Sequence, residues 1–235
     1  MENYTVGLKK KYYKKIWGNM KKYKLIIFDF DGTLVNSSPG IYNTANWTIK
    51  QLGFDEVNDI KQLNKFIGPP LKDCFKLTYN LDDSLLDKAC DLYRGQYESK
   101  GQYEAITFDG IEEILTQLKE MGYTLAVATM KYREIVFSML EHLNLAKYFE
   151  YIDGTNIEGT KYKAAILDEI VEHFNVEKKA AILVGDTDHD KNAAKEAKID
   201  FLAVSYGFGY DENTEISPPM IGLATSPKDI LSYIL

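Results

Sequence analysis

The sequence predicts an α/β fold in which a parallel sheet carries helices on both faces. Short apolar runs alternate with segments whose apolar residues recur at helical spacing, as expected for strands joined by crossover helices. Several runs are almost continuously apolar, which is typical of strands covered on both faces. Polar residues follow the runs, at the end of the strands where open α/β sheets bind their ligands.

Five apolar runs are predicted to form the sheet, and helical patterns fill most of the intervals between them. Apolar residues recur at helical spacing over 111–121, 135–143 and 166–174, and right-handed crossovers are expected. Asp109 and Glu112 predict an N-terminal cap on the first of these helices. The strands are predicted at Leu25–Phe30, Thr124–Thr129, Phe149–Ile152, Ala180–Val184 and Phe201–Ser205.

The alternation fails between the first and second strands. Roughly ninety residues without a convincing strand lie there, whereas a crossover needs only one helix. Helical patterns occupy about 39–52 and 83–100 within this stretch. Residues 37–105 are therefore predicted to form a helical cap inserted into an α/β core made of residues 25–36 and 106–235.

Charge is unevenly distributed along the chain. Residues 1–24 carry eight lysines and one glutamate, and because the whole chain has a net charge of −7, the remainder carries −14. A general nucleic-acid binder needs a basic face, which this acidic body does not offer, so no nucleic acid is expected as a partner. Residues 1–24 are interpreted as a solvated basic extension, with an anchor for an anionic partner as the alternative.

The remaining composition favours a cytoplasmic protein. Cys74 and Cys90 do not make a disulfide framework, and no Cys/His cluster indicates zinc. No stretch approaches the ~20 apolar residues of a membrane-spanning helix, and the N-terminal lysines are not followed by the apolar segment of a signal peptide. No membrane partner is expected, and the oligomeric state cannot be predicted.

Two carboxylates, Asp29 and Asp31, lie one residue apart where the first strand ends. Like charges so close repel each other, and a buried carboxylate needs a partner, so the pair indicates a cation or a reaction. Side chains two residues apart on a strand face the same way, so both could act on one ligand.

The other predicted strands also end in polar groups. The second ends in Thr129, the third is followed by Lys161 and Lys163, and the fourth runs into VGDTDHD. Carboxylates from two strand ends, with hydroxyl and ammonium groups nearby, are suited to Mg²⁺ and a phosphate. The carboxylates of VGDTDHD are Asp186, Asp188 and Asp190.

The chain carries, in this order, DFDGT, the strand ending in Thr129, the downstream lysine and GDTDHD. This arrangement resembles the haloacid dehalogenase-like hydrolases, and the resemblance extends from residue 22 to the C-terminus. Within that superfamily the sequence is most similar to the phosphoglycolate phosphatase-type branch. The resemblance implies a Rossmann-like core with an inserted helical cap, Mg²⁺ as cofactor and a small phosphorylated metabolite as substrate.

The resemblance also implies a role for each polar group. Asp29 would be the nucleophile that forms an aspartyl-phosphate, and Asp31 would protonate the leaving oxygen and then activate water. Thr129 would hydrogen-bond the phosphate and Lys163 would neutralise its charge. Lys161 competes for that role, but Lys163 is preferred because it opens the helix KAAILDEI. The implied metal ligands are Asp29, Asp186 and the backbone carbonyl of Asp31. Asp190 is implied either to bind the ion through a water molecule or to contact the ligands rather than the ion.

Contacts with the substrate are implied next to these groups and in the cap. The loop KFIGPPLKD, residues 65–73, resembles the cap loop that faces the active site in this family, although an ordinary turn between two helices is the alternative. Asn36, Met130 and Lys198 depart from the family pattern, and the first two weaken any substrate assignment. The implied substrate-binding residues are Gly32, Thr33, Met130, Lys131 and Gly68.

Three functions fit these residues. The first is a Mg²⁺-dependent phosphatase acting on a small phosphomonoester such as phosphoglycolate, a nucleotide or a sugar phosphate. The second is a phosphomutase using the same aspartyl-phosphate, which DGTL and VGDT disfavour, and the third is a non-catalytic binding protein, which the complete set of catalytic residue types disfavours. A dehalogenase would have no need of Asp31.

Overall fold

The computed structural model describes residues 22–156 and 160–235, so most of the predicted basic extension lies outside the described residues. The described residues form two compact units: residues 36–106 make one, and the described residues before and after that segment make the other. The boundaries expected for the cap, 37 and 105, lie within one residue of this division.

The larger unit is an α/β domain built on a six-stranded parallel sheet, which confirms the predicted fold class. The strand order is β5-β4-β1-β6-β7-β8, so the first strand lies at the centre and its carboxyl end is flanked by those of β4 and β6. The sheet strands are β1 (Leu25–Phe28), β4 (Thr124–Tyr132), β5 (Tyr151–Thr155), β6 (Ala181–Gly185), β7 (Asp200–Val204) and β8 (Met220–Ala224), and the two-residue strands are β2 (Val35–Asn36) and β3 (Ile106–Thr107).

Helices follow the strands of the sheet and bury its two faces. Alternate residues of β1 point to opposite sides, and Leu25 and Ile27 share one apolar cluster with Ile166 and Leu167 of the helix that begins at Lys163. The helices of this unit are α5 (Ile111–Glu120), α6 (Arg133–His142), α7 (Lys163–His173), α8 (Asp188–Ala197) and α9 (Ile230–Ile234).

Several details of the core differ from the sequence-based expectation, and the first strand ends at Phe28 rather than Phe30. The sixth strand, β8, was not predicted, because Gly222 interrupts the apolar run MIGLA. The third predicted strand begins at Tyr151 rather than Phe149, after a 3₁₀ turn. The second runs three residues past Thr129. The N-cap of α5 is Gly110, with φ of 91°, rather than Asp109, because the chain enters this helix through a left-handed turn.

Lys198, where the family commonly has glycine, occupies a left-handed backbone position. It follows α8 with φ of 60°, and its N–H bonds the Lys195 carbonyl. A glycine adopts this conformation at the end of a helix without steric cost, which explains the family pattern. The departure therefore affects the helix end and removes no group from the strand ends.

The smaller unit consists of four helices, α1 (Ser38–Gln51), α2 (Ile60–Leu63), α3 (Leu71–Tyr79) and α4 (Asp83–Ser99). An aromatic cluster fills its interior, in which Phe66 and Phe75 meet edge to face with ring centroids 4.9 Å apart. Cys74 and Cys90 are buried free thiols in the same unit. Asn36 accepts hydrogen bonds from the backbone N–H and hydroxyl of Ser38, so it supports the start of α1.

None of the helices in residues 22–156 and 160–235 has the length and apolar character needed to cross a membrane.

Candidate active site

Asp29 leaves the central strand at the carboxyl edge of the sheet. Its backbone N–H donates to the Val184 carbonyl at 2.8 Å, which continues the ladder with β6 and holds the residue in register. The chain then turns back, because the Phe30 carbonyl accepts from Leu34 and Val35. The Asp29 side chain is 10% exposed and that of Asp31 is 21% exposed, so the nucleophile candidate is the more deeply buried of the two.

The strand β6 and the start of α8 supply two further carboxylates. Asp186 follows the last residue of β6 and is fully buried. Thr187 caps α8, and the Asp190 carboxylate accepts from both its backbone N–H at 3.0 Å and its hydroxyl at 2.7 Å. This reciprocal cap turns the Asp190 side chain back towards the strand end, where it is fully buried.

Lys163 bridges Asp29, which follows β1, and Asp190, which lies in the first turn of α8. Its Nζ donates to Asp29 Oδ1 at 2.7 Å and also to Asp190 Oδ1. Lys161, the competing choice, donates instead to Asp153 at 2.7 Å and Glu169 at 2.6 Å. Of the two lysines, Lys163 is thus the one that the structure brings to the candidate nucleophile.

Burial and like charge make the acidic cluster electrostatically demanding. One oxygen from each of Asp29, Asp186 and Asp190 lies within 4.8 Å of the others. Burial raises the pKa of Asp29 to about 8, the Lys163 ammonium opposes this, and the other two carboxylates add to it. Burial likewise raises the pKa of Asp186 to about 7, against the lowering effect of a hydrogen bond from the Phe208 N–H. Although burial alone would lower the pKa of Lys163, Asp190 and Asp29 raise it.

The buried oxygens of the cluster fit a hard divalent cation. Asp186 Oδ2 accepts from the Phe208 N–H at 2.7 Å, but Asp186 Oδ1 is buried with no hydrogen-bond partner among the described residues. Leaving a buried carboxylate oxygen unsatisfied is costly, and carboxylate and carbonyl oxygens are the ligands that Mg²⁺ prefers. Both oxygens of Asp190, in contrast, are already bonded to Lys163 and Thr187.

A loop after β7, residues 205–210, supports Asp186 and was missed by the sequence analysis. Besides the Phe208 bond, its Tyr210 N–H donates to the Asp186 carbonyl at 3.0 Å, and Tyr206 donates its hydroxyl proton to the Thr33 carbonyl at 3.0 Å. The only signal in the sequence is the spacing of two glycines in SYGFGY after a predicted strand.

Thr129 and Lys131 project from the end of β4. The Thr129 hydroxyl accepts from the Lys131 backbone N–H at 3.2 Å, so its own proton remains available for an acceptor such as a phosphate oxygen. Lys131 Nζ lies 3.1 Å from each carboxylate oxygen of Asp31. Met130, between them, is 44% exposed.

The remaining candidate residues have different surroundings. Gly32, with φ of 80°, lies so close to Asp186 that a Cβ would be 2.1 Å from its Oδ2. Thr33 is buried, and its hydroxyl has no hydrogen-bond partner among the described residues. Gly68, with φ of 105°, belongs to the smaller unit and lies between a 3₁₀ turn and α3.

Gly207 offers a test of the support given to Asp186. A Cβ at this position would lie 2.3 Å from the Gly32 carbonyl and 2.5 Å from the Asp186 Cβ, so Gly207→Ala must displace one of them. For an Asp186 that holds Mg²⁺, as the family resemblance implies, we expect the Mg²⁺ concentration for half-maximal activity to rise ~10- to 100-fold, the usual effect of disturbing the support of a metal ligand. Gly95→Ala is the control, because a Cβ there meets nothing within 4 Å. An unchanged Mg²⁺ requirement in Gly207→Ala would contradict this assignment.

Comparisons with known proteins identify the family of the chain. The family model described as haloacid dehalogenase-like hydrolase matches residues 26–204. A 5′-nucleotidase from Pseudomonas aeruginosa is 33% identical over 199 residues, which cover 84% of this chain and 90% of the relative. A phosphoglycolate phosphatase from Vibrio parahaemolyticus is 28% identical over 220 residues, which cover 90% of this chain and 96% of the relative.

Solved structures give the same result. The haloacid dehalogenase-like family hydrolase from Streptococcus pneumoniae is similar with a TM-score of 0.80 and 31% identity, covering 91% of this chain and 99% of that one. The chain therefore belongs to the haloacid dehalogenase-like hydrolases, and it is a phosphatase.

Proposed function

We propose that this phosphatase hydrolyses a small phosphomonoester through an aspartyl-phosphate on Asp29, with Mg²⁺ as cofactor. The observation that carries the proposal is the setting of Asp29: a buried carboxylate, 2.7 Å from the Lys163 ammonium and clustered with two more carboxylates. A nucleophile that must meet a phosphate dianion needs such positive charge beside it.

The charges around the site support a divalent cation. Four carboxylates and two ammonium groups line it, so full ionisation leaves two negative charges, which one Mg²⁺ balances. Asp29, Asp186 and the backbone carbonyl of Asp31 would hold the ion, with Asp190 fixing Lys163 and the start of α8. When bound, Mg²⁺ would offset the repulsion between the phosphate and the nucleophile. The charged side chains are Asp29, Asp31, Asp186, Asp190, Lys131 and Lys163.

In the first half of the reaction, a carboxylate oxygen of Asp29 attacks phosphorus while the bond to the leaving oxygen breaks. Lys163 stays beside Asp29 and neutralises charge there, and the Thr129 hydroxyl donates to a phosphate oxygen. Protonated Asp31 transfers its proton to the leaving oxygen, so the alcohol departs neutral and Asp31 becomes a carboxylate.

In the second half, Asp31 accepts a proton from a water molecule, whose oxygen attacks phosphorus. The bond between phosphorus and Asp29 breaks, which releases inorganic phosphate and restores both aspartates to their starting state. Asp31 therefore serves as acid and then as base.

The proposed substrate is a small metabolite that carries a phosphate ester. The proposed location of the protein is the cytoplasm. The relatives include a 5′-nucleotidase and phosphoglycolate phosphatases, so nucleoside 5′-monophosphates and phosphoglycolate are the first compounds to test. The test is phosphate release by purified protein with Mg²⁺ on these two, a sugar phosphate and pyrophosphate. Transfer of phosphate within a sugar phosphate without net release would favour the phosphomutase instead, and no turnover of any kind would favour a binding protein.

We also propose that the loop around Gly68 selects the substrate. Every candidate substrate shares the phosphate that the strand ends bind, so discrimination requires another element. Gly68→Leu places a bulky side chain on a backbone with φ of 105°, which changes the loop whatever space surrounds it. We expect kcat/KM to shift between natural substrates by ~10-fold or more, with turnover of a small artificial ester largely kept.

Gly53→Leu is the matched control for this loop. Gly53 belongs to the same unit, also has positive φ (86°), and likewise has no atom within 4 Å of a built Cβ. It should lose comparable stability without altering the ranking of substrates. Equal loss of kcat/KM on every substrate in Gly68→Leu would mean that the loop does not select them.

A further inference from the structure

We propose that Lys131 is a positioning residue that holds the carboxylate of Asp31 in place for its work as acid and base. The inference rests on the proposed function, because it assumes that Asp31 transfers protons during hydrolysis. It replaces the expectation from family resemblance that Lys131 contacts the substrate.

The geometry of the pair carries the proposal. Lys131 Nζ is 3.1 Å from both oxygens of Asp31, so it is equidistant from the two and bonds the carboxylate through both. The two side chains are 13% and 21% exposed, which places the pair largely out of water, where an ion pair fixes geometry more firmly than at the surface. Asp29, two residues earlier, is bonded by a different lysine, Lys163.

The backbone that carries Lys131 is built irregularly. Between Ala128 and Tyr132 of β4 the register with β5 slips: these two residues are four apart, whereas their partners Asp153 and Thr155 are two apart. Such a bulge re-aims side chains at the end of a strand. Here the slipped segment contains Lys131, which reaches across to the turn that follows the neighbouring strand β1 and bonds Asp31.

Two contacts hold this irregular segment in place. Gly154 on β5 allows the close approach, because a Cβ there would be 2.3 Å from the Lys131 carbonyl. The Lys131 N–H donates to the Thr129 hydroxyl. These contacts hold the backbone of Lys131, and its bonds to Asp31 hold its ammonium group.

The proposed role follows from the two proton transfers. Asp31 must direct one oxygen at the leaving group and later at water, without turning towards the acidic cluster. The Lys131 ammonium lies beside both oxygens, so it can stay bonded to one of them while the other faces the reacting atoms. It also stabilises the carboxylate that remains after the first transfer.

The experiment compares Lys131→Met with Lys131→Arg on two esters, an alkyl phosphate and p-nitrophenyl phosphate. Breaking the alkyl ester needs a proton donor, whereas the nitrophenolate leaves readily without one. For Lys131→Met we expect kcat/KM to fall ~10- to 100-fold on the alkyl ester and ~3-fold or less on the aryl ester. Lys131→Arg should restore most of the loss, because a guanidinium also bonds a carboxylate through two donors.

A double-mutant cycle separates positioning from direct substrate contact. If Lys131 acts through Asp31, adding Lys131→Met to Asp31→Asn should lower kcat/KM by less than ~3-fold further. Losses that multiply, together with an equal fall on both esters, would show that Lys131 binds the substrate itself and would overturn the proposal. Thermal unfolding of each variant verifies the fold, and Lys131→Gln replaces the methionine variant if that one unfolds.

The wild-type protein and Asp31→Asn are measured first. Absence of phosphate release by the wild type, or full activity in Asp31→Asn, would refute the proposed function before Lys131 is considered. A slow Asp31→Asn variant with additive effects at Lys131 would refute only the present inference.

Discussion

Phosphate release should fall to background when Asp29 is replaced with asparagine. An amide is a far poorer nucleophile than a carboxylate, and the variant also removes a charge that the Lys163 ammonium and the proposed Mg²⁺ would bind. Asp29→Asn is nearly isosteric, so the sheet around it should be retained. The measurement is initial rate with Mg²⁺ on the best substrate of the panel, together with thermal unfolding.

Two further variants make this result specific. Asp31→Asn should keep its backbone carbonyl in place but lose the proton transfers, which are commonly worth ~10²–10⁴ in rate. With a substrate that has a good leaving group, this variant should accumulate a covalent phosphate on Asp29, detectable as a mass increase on the peptide that contains it. Asp188→Asn is the control: Asp188 lies in the same acidic run, but its side chain is 69% exposed. Normal turnover in Asp29→Asn would disprove the nucleophile assignment.

The sequence predicted the architecture well because the core obeys simple periodicity. Apolar runs predicted five of the six strands, and helical spacing predicted α5, α6 and α7. The edge strand β8 was missed because Gly222 interrupts its short apolar run, and glycine is unfavourable inside a strand. An apolar pattern in the sequence predicts a strand only where burial on both faces requires apolar residues throughout that strand.

The candidate site was predictable in its residue types and less so in its contacts. Carboxylates, a threonine and a lysine at strand ends could be read from the sequence, because parallel strands bring those ends together. The hydrogen-bond donor to the Asp186 carboxylate is the backbone N–H of Phe208. Because almost every residue type carries a backbone N–H, the sequence cannot indicate which one donates. The partner of Asp31 could not be predicted either, since it depends on a register slip that leaves no mark in the pattern of β4.

The preference for Lys163 over Lys161 illustrates the same limit. Both lysines follow the third predicted strand, and the argument for Lys163 from its place at the start of a helix did not exclude the other. The structure separates them by their partners: Asp29 and Asp190 for Lys163, and a different acidic pair for Lys161. Contacts between strand ends far apart in the sequence are set by the whole sheet, not by local spacing.

Removing the proposed Mg²⁺ should abolish turnover and weaken the fold, in a manner that depends on pH. Without a cation, the raised pKa values of Asp29 (about 8) and Asp186 (about 7) mean that the folded protein binds protons that the unfolded chain, with ordinary carboxyl pKa values, releases. The free energy of unfolding of the metal-free protein therefore falls as pH rises from about 4 through 8. Chelation with EDTA should eliminate phosphate release, and added Mg²⁺ should restore it.

The sign of this effect can be tested by thermal unfolding with and without Mg²⁺. A cation competes with protons for the same oxygens, so Mg²⁺ should raise Tm more at pH 8 than at pH 5.5. Asp186→Asn removes one of the charges, and we expect it to raise the Tm of the metal-free protein at pH 8 while losing both the Mg²⁺-dependent gain and activity. Asp188→Asn, with its exposed side chain, should behave as the wild type. Full activity after chelation, or a Tm gain from Mg²⁺ that is retained in Asp186→Asn, would show that the ion does not bind at this cluster.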